Sequence, residues 1–526
     1  MKQHSLTAPF SSPVFRIMLI AMTISNIGTW MNEVGTTWLM ASMPTSDLYI
    51  ALIQTAITLP FLFLAYPSGT LADLVDRRGI LIWVHVLLFL TAVGLAVSAF
   101  YDAITPLLLL LFTFGLGAGN AIMRPAWASS VPDFAPREHL PSAITLNTVS
   151  TNVTRAIGPA IGGLIIFQAG TTAIFILNAI SFTVLIYALY QWKPLRPNNP
   201  SALPVERFMG AFWTGLRYTR NSRSLKVVLI RSAAFFFFSS VSWALLPVIV
   251  IRDMGMSAQN YGISMAVIGI GTILGAFLLP KCHRVLTRNQ IIGLSTVLLS
   301  LPVLLLAYQP NLYSLAFTLV TLGVAWTFSF SSFMLAAQTS VPNWVRARTI
   351  SLVMLTFGGS MAFGSFLWGH LSDSYGSSLS MAIAAIGLLS TLVLSKRFTL
   401  ANDSLDLSPT TQWPITIPED SIEADKGPVM VTIQYHIPED KTDEFLDLME
   451  QMRANRQRNG AYFWQIFHDS VDHQLYSEMY MSESWLDVLR QRQRMTASEQ
   501  AVRERVMAMH QSDEAPVISI QIAGKA

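Results

Sequence analysis

The sequence predicts a membrane protein of twelve transmembrane helices in two six-helix halves, followed by a small soluble α+β domain. Two observations carry this prediction. The 526 residues are 52% hydrophobic and only 12% charged, with a mean hydropathy of +0.47, whereas soluble domains carry roughly a quarter charged residues. The charge is also partitioned. Residues 1–400 hold 10 of the 31 Asp and Glu, while residues 401–526 hold 21 against 11 Lys and Arg, a local net charge of −10. A long apolar body therefore precedes an acidic, water-compatible segment.

A membrane-crossing helix needs about 20 mostly apolar residues. Twelve runs qualify: 14–42, 48–73, 80–100, 106–128, 142–168, 172–191, 226–250, 260–280, 290–308, 312–338, 348–370 and 377–395. The first run is too long for a signal h-region and no small-residue cleavage pattern follows it, so it reads as a retained span. The connecting segments on the side of the N-terminus hold 19 Lys and Arg, against Arg252 alone on the other side. The positive-inside rule then places both termini in the cytoplasm of a cell whose inner membrane the chain crosses. Ser130-Val-Pro-Asp133 and Ser340-Val-Pro-Asn343 recur at an offset of 210, and Arg16 and Lys226 share it. Duplicated halves of this kind place a site at the membrane midplane.

These features set the expected organisation: an N-terminal bundle 1–190, a cytoplasmic linker 191–225, a C-terminal bundle 226–397, an acidic linker 398–427 and a soluble domain 428–526. Within the linker, Phe208 to Tyr218 has the pattern of an amphipathic helix on the membrane surface. In the soluble domain, strand-like alternation at 429–436, 461–468, 474–481 and 517–522 is interleaved with helical stretches at 440–458 and 484–510, the latter broken near Thr496. The order βαββαβ predicts a ferredoxin-like unit.

Charge inside the spans is costly and marks candidate function. Asn26, Trp30, Glu33 and Thr37 fall on one face of span one. Glu33 is the candidate protonatable coupling residue, or else a hydrated group near the outer interface. Arg155 in span five is its candidate partner or a site for an anion. Arg124, on one face with Asn120 near the cytoplasmic end of span four, lines the cavity or snorkels to the interface, and snorkelling is the expectation for Arg231. His85 reads as an interior histidine. Phe236 and Trp243 on span seven, with Trp326 and Phe330 on span ten, offer an aromatic lining for an apolar ligand, or simply pack helices. The lone Cys282 leaves no intramolecular disulfide and no cysteine-based metal site.

Two motifs complete the reading. Asp73 stands at the C-terminal end of its own helix, where the dipole disfavours a carboxylate. It calls for the N-terminal end of span eleven, or for Arg77 or Arg78, unless it is a solvated turn. Gly158 and Gly162, four residues apart, admit a neighbouring helix closely, and Pro159 bends the span. The loop Gly69-Thr-Leu-Ala-Asp73-Leu-Val-Asp76-Arg77-Arg78-Gly79 resembles the loop between helices two and three of the major facilitator superfamily. The matching Asp of that superfamily is thought to latch the two halves. Leu74 replaces the usual basic residue and Asp76 the usual glycine, which resembles the drug and siderophore exporter branch. Gly158-Pro159-Ala-Ile-Gly162-Gly163 resembles the signature of exporters that run as antiporters, with Thr154 where an upstream glycine is usual.

The stretches Ile24 to Met31 and Val131 to Asn147 are similar to the transmembrane secretion effector family, which includes enterobactin-exporter-like and macrolide-efflux-like proteins. Gly427 to Val431, Arg456 to Trp464 and the run from Glu483 resemble the soluble extension of many members. That extension is similar to the dimeric barrel of cofactor-free antibiotic-biosynthesis monooxygenases, in which Trp464 and Trp485 would border a pocket. Both Trp residues equally suit a core, and the extension is expected to regulate or dimerise.

The resemblance implies a secondary transporter of major facilitator fold. It would export a small hydrophobic molecule of drug or siderophore type, by proton antiport and alternating access. No cofactor, metal, catalytic residue or nucleic-acid partner is expected, and no P-loop pattern is present. The alternatives are a proton-coupled importer and a membrane-anchored enzyme carried by the soluble domain.

Overall fold

Eleven helices among the described residues are long and apolar enough to cross a membrane. In chain order the first five are α1 (Pro13–Ser42), α2 (Asp47–Leu74), α3 (Arg77–Phe100), α4 (Pro106–Phe134) and α5 (Leu140–Gln191). A short helix, α6 (Phe208–Asn221), precedes α7 (Arg223–Pro247), α8 (Ala258–Cys282) and α9 (Arg288–Tyr308). Then come α10 (Leu312–Thr339), α11 (Arg346–Tyr375) and α12 (Ser377–Arg397). This is a computed structural model, and it describes residues 8–74, 76–193, 208–308, 311–400, 406–408, 410, 426–512 and 514–523. One unit comprises Met1–Val205, Val228–Leu335 and Ile350–Asn402, and a second comprises Glu206–Val227, Ala336–Thr349 and Asp403–Ala526.

In the first unit, the runs 142–168 and 172–191 both fall in α5, a helix of 52 residues. Gly170 interrupts it at φ 80°, ψ 175°, a conformation essentially reserved for glycine. Side chains satisfy the orphan amides at several helix starts. Ser12 accepts from the Phe15 amide and donates to the Phe134 carbonyl at 2.9 Å, joining the start of α1 to the end of α4. Asp76 caps α3 by accepting from the amides of Arg78 and Gly79, which gives its carboxylate a local role. Large apolar side chains such as Trp83, Leu90, Phe100 and Phe277 are exposed on the helices, as a lipid-facing surface requires.

Helices from the first and second parts of the chain meet in this unit where side chains are absent. A Cβ on Gly163 of α5 would lie 2.7 Å from the Ala258 carbonyl oxygen of α8, and one on Gly262 would lie 2.6 Å from that of Pro159. A Cβ on Gly358 of α11 would lie 2.8 Å from the Thr58 carbonyl oxygen of α2. Thr55 adds a hydrogen bond of 3.1 Å to the Ala362 carbonyl. Arg231, expected to snorkel, is instead buried, donating to Asn289 and to the Phe398 carbonyl. His85 is buried with Nδ1 on the Leu81 carbonyl.

In the second unit, the strands are β1 (Val429–His436), β2 (Phe463–His468), β3 (Leu475–Ser482) and β4 (Ile518–Ile522). They form an antiparallel sheet in the order β2-β3-β1-β4. The helices are α13 (Thr442–Asn459) after β1, and α14 (Trp485–Arg494) and α15 (Ala497–Ala508) after β3. Alternate residues of β1, Val429, Val431, Ile433 and Tyr435, enter one core with Phe445, Leu448, Trp464 and Trp485. The break expected near Thr496 is a capping box: Thr496 accepts from the Glu499 amide, and Glu499 accepts from the Thr496 amide at 3.1 Å.

Buried in that core is a carboxylate, Glu478. It accepts from Arg456 Nε at 3.0 Å and Nη2 at 3.3 Å, from Trp464 Nε1 at 3.0 Å and from the Tyr435 hydroxyl at 3.1 Å. Burial alone would raise its pKa, but the Arg456 charge and these donors outweigh it and hold the carboxyl below its ordinary value. Trp464 is thereby committed to the core.

Candidate functional site

The membrane-spanning unit gathers its polar groups around α1. Its Trp30, Glu33 and Thr37 line one cavity of about 30 Å³ with Gln54 of α2, Pro159 of α5, Trp243 of α7 and Tyr261 of α8. Glu33 also lines a second cavity of about 40 Å³ with Asn32, Thr113, Asn120 and Asn178. Each has room for a water or two. Among the described residues, Glu33 is the carboxylate that lines both cavities, the first reaching α7 and α8 and the second lying within α1, α2, α4 and α5.

Two cations act on it. The charges of Arg155 and Arg124 are both felt at Glu33. The Arg155 guanidinium lies 5.2 Å from the Trp30 ring centroid, and that of Arg124 lies 5.8 Å from the Phe61 ring, distances at which a ring face attracts a cation. Arg155 Nε has no hydrogen-bond partner among the described residues. Arg124 is exposed rather than sealed in. Asn26, one turn before Trp30, is half-buried.

The glycines of α5 set these distances. A Cβ on Gly158 would lie 2.6 Å from Trp30 Cβ, and one on Gly162 would lie 3.1 Å from Met31 Cα. These two glycines therefore bring α5 onto α1, while Gly163 and the Pro159 carbonyl meet α8.

The aromatic residues form one cluster. Phe236 packs edge-on against Trp326, Phe330 and Phe357, with centroids 5.6, 6.2 and 4.9 Å apart, and Trp243 meets Trp326 at 5.2 Å. Phe236 and Trp326 are buried, and Trp243 and Phe330 are half-buried. Trp243 carries the cluster to the Glu33 cavity. Phe357 on α11 escaped the sequence reading because nothing in its local pattern ties it to α7.

The motif after α2 is engaged differently from the expectation. The Asp73 side chain lies outside the described residues. Arg77 donates to Asp133 at 3.2 Å and to the Ser129 carbonyl at 2.8 Å. Arg78 donates to the carbonyls of Leu189 and Tyr190, at 3.0 and 2.7 Å. A cation there meets the last, otherwise orphaned carbonyls of α5 and the negative end of its dipole.

Sequence reasoning missed a second polar site. At the far end of the bundle, Arg252, in the π-helical turn Val248–Asp253 that ends α7, pairs with Asp47 at 3.0 Å. It also donates to the Met43 carbonyl and to Thr45, while Ser372 donates to the other Asp47 oxygen at 2.9 Å. This network joins α2, α7 and α11 at the α1–α2 connection. Its signal was present, because Arg252 is the one cation on its side of the membrane in the sequence reading.

A helical unit with eleven described helices long and apolar enough to cross a membrane, and with charged groups where those helices meet, has the architecture of a membrane transporter. The chain matches the transmembrane secretion effector family over residues 4–526 and belongs to it, within the major facilitator superfamily. It is a transporter, not an enzyme. It is 23% identical over 388 residues to the staphyloferrin A transporter of Staphylococcus aureus (strain NCTC 8325 / PS 47), covering 72% of this chain and 94% of that one. It is 23% identical over 413 residues to the multidrug efflux pump Tap of Mycobacterium tuberculosis (strain ATCC 25618 / H37Rv), covering 76% and 96%. Among solved structures, the fold is shared with the nucleoside transporter NupG, with a TM-score of 0.59 at 14% identity over 73% of this chain and 99% of that one. A bacterial homologue of the lysosomal transporter Spinster, inward-facing and occupied, gives a TM-score of 0.59 at 16% identity over 74% and 98%.

Proposed function

We propose that this protein exports a small, largely apolar molecule of drug or siderophore type across the bacterial inner membrane, in exchange for protons. The observation that carries the reading is Glu33, a carboxylate that lines two cavities, near the charges of Arg155 and Arg124 and beside the seam between the halves. A proton bound there would release Arg155 and Arg124 to an anionic part of the cargo, while the Trp243 and Phe330 edges take its apolar body. Alternating access then follows as rocking of the two halves. The glycine contacts of α5 with α8 and the Asp47–Arg252–Ser372 network support a state closed at the Asp47 end.

In this reading α5 crosses the membrane twice about Gly170, giving twelve crossings with both termini cytoplasmic and the Asp47 end outside. Asp73 serves as the latch on the cytoplasmic face. The soluble sheet and its helices are a ferredoxin-like unit, as the order β2-β3-β1-β4 suggests. The relatives named for siderophore transport and multidrug efflux favour this cargo class and direction.

The test is retention of fluorescent drugs and siderophores in cells with and without the protein, across external pH, for the parent and Glu33→Gln. Greater retention on deletion, with the pH dependence lost in Glu33→Gln, is the expected result. Lower retention on deletion would make it an importer, and an unchanged pH dependence would remove Glu33 from the coupling.

A further inference from the structure

The soluble unit holds more than its own sheet and helices. It includes α6 and the segment Ala336–Thr349, two pieces of chain that serve as connections of the helical unit. α6 precedes α7 directly, and 336–349 links α10 to α11. Their contacts are specific. Arg217 of α6 donates to the Gly460 carbonyl at 2.6 Å and pairs with Glu483 at 2.9 Å. Tyr218, one residue on, is buried, and its hydroxyl feels the charges of Arg458 and Glu499. Its ring meets Trp344 edge-on at 5.6 Å, and on Trp344 lies the Arg494 guanidinium of α14, 4.2 Å from the centroid. Gly460 takes its position after α13 at φ 132°, so the carbonyl that Arg217 reads is set by a backbone conformation that favours glycine. Trp344 is thus shared by one residue of α6 and one of α14.

The sequence pattern of α6 suggested a helix lying on the membrane. In the structure the surface of this helix is divided. Gly215, Tyr218 and Thr219 are buried, while Trp213 and Leu216 stay exposed. The buried stripe faces the soluble unit because Tyr218 and Arg217 find aromatic and charged partners there.

We propose that the face of the soluble unit formed by Gly460, Glu483 and Arg494 is a docking surface for this chain's own α6 and the Trp344 turn, and that docking restrains the transport cycle. α6 enters α7, the first helix of the second half, and the Trp344 turn enters α11. Holding both on one compact unit limits how far the start of α7 can move relative to the α10–α11 connection. Rocking of the halves, on which the restraint rests, requires such movement. The contacts are few and partly exposed, Glu483 among them, so each is individually weak and the surface is suited to release.

The experiment is amide hydrogen exchange of α6 in the full-length protein. It compares the parent with Trp344→Ala, Arg217→Glu and the charge-swapped Arg217→Glu/Glu483→Arg. Docking predicts that exchange over residues 212–221 rises roughly three- to thirtyfold in the single variants, the range for loss of an exposed ion pair or a cation–π contact. The swapped pair should return it toward the parent value, a recovery that general misfolding would not give. Unchanged exchange in both single variants overturns the docking surface. Transport by the same variants reads the restraint. A change in rate of twofold or more that the swap reverses supports it, whereas raised exchange with unaltered transport overturns it. Because the exchange arm needs no substrate, failure of the export reading would appear in transport alone.

Discussion

Gly163 offers the most direct trial of how the two halves close. Gly163→Ala adds one methyl group at a point 2.7 Å from the Ala258 carbonyl oxygen, 2.9 Å from Gly262 Cα and 3.2 Å from its amide nitrogen. Ordinary contact begins near 3.4 Å, so α8 must withdraw by about 0.7 Å, and the opposing atoms are backbone that cannot rotate away. Overpacking of this kind costs about 1–3 kcal/mol. It falls only on the state in which α5 and α8 touch, so the equilibrium should shift about 5- to 150-fold toward the state in which they part. The assay is the rate of maleimide labelling of a cysteine at Gln54, a cavity residue, in detergent and in a Cys282→Ser background. Labelling should accelerate and transport should slow. Gly293→Ala is the control, because its methyl meets nothing nearer than Leu392 Cδ2 at 3.6 Å while changing helix propensity by the same amount. Equal labelling and transport for Gly163→Ala and the parent would refute the account of α5 and α8 as a backbone-tight seam.

Two further predictions rest on charge. Arg252→Ala should also speed labelling at Gln54, by about fivefold for a partly exposed pair worth about 1 kcal/mol, and Asp47→Arg/Arg252→Asp should slow it again; no recovery in the reversed pair would count against the ion pair. In the second unit, Glu478→Gln strands the Arg456 charge in the core, at a cost of about 3–5 kcal/mol, read as lost amide protection across β1 and β3 in the full-length protein. Because the Glu478 pKa is held below its ordinary 4.5, its stabilisation is complete above about pH 4.5 and fades as pH falls through the lower folded value. Protection in Glu478→Gln should lack that acid dependence, and persistence of the dependence would assign it to another group.

Local pattern reached far in this chain. β1 falls on the alternating run 429–436, and α13 and β3 lie within two residues of their expected bounds, because period and caps are properties of neighbouring residues. The break at Thr496 is visible for the same reason: Thr496 and Glu499 are three residues apart and satisfy one another. The clustering of Trp30, Glu33 and Thr37 toward one cavity follows the helical spacing of α1. Glu478 was legible in principle, since it keeps register with Tyr476 and Tyr480 on the buried face of β3, but its safety there depends on Arg456, a residue of another element.

What the sequence by itself determined is the membrane class, the long apolar runs, the elements of the soluble segment and the family motifs. All of these are encoded in composition and short-range spacing. What the tertiary structure decided is which groups meet. Arg252 finds Asp47 across 205 residues, Arg77 takes Asp133, Arg231 turns inward to Asn289, and α6 belongs to the same unit as the C-terminal sheet. The reason is physical: periodicity states which face of a helix is buried, but the partner on that face is chosen by the packing of distant helices, and the glycines of α5 and α8 show how closely that packing is drawn.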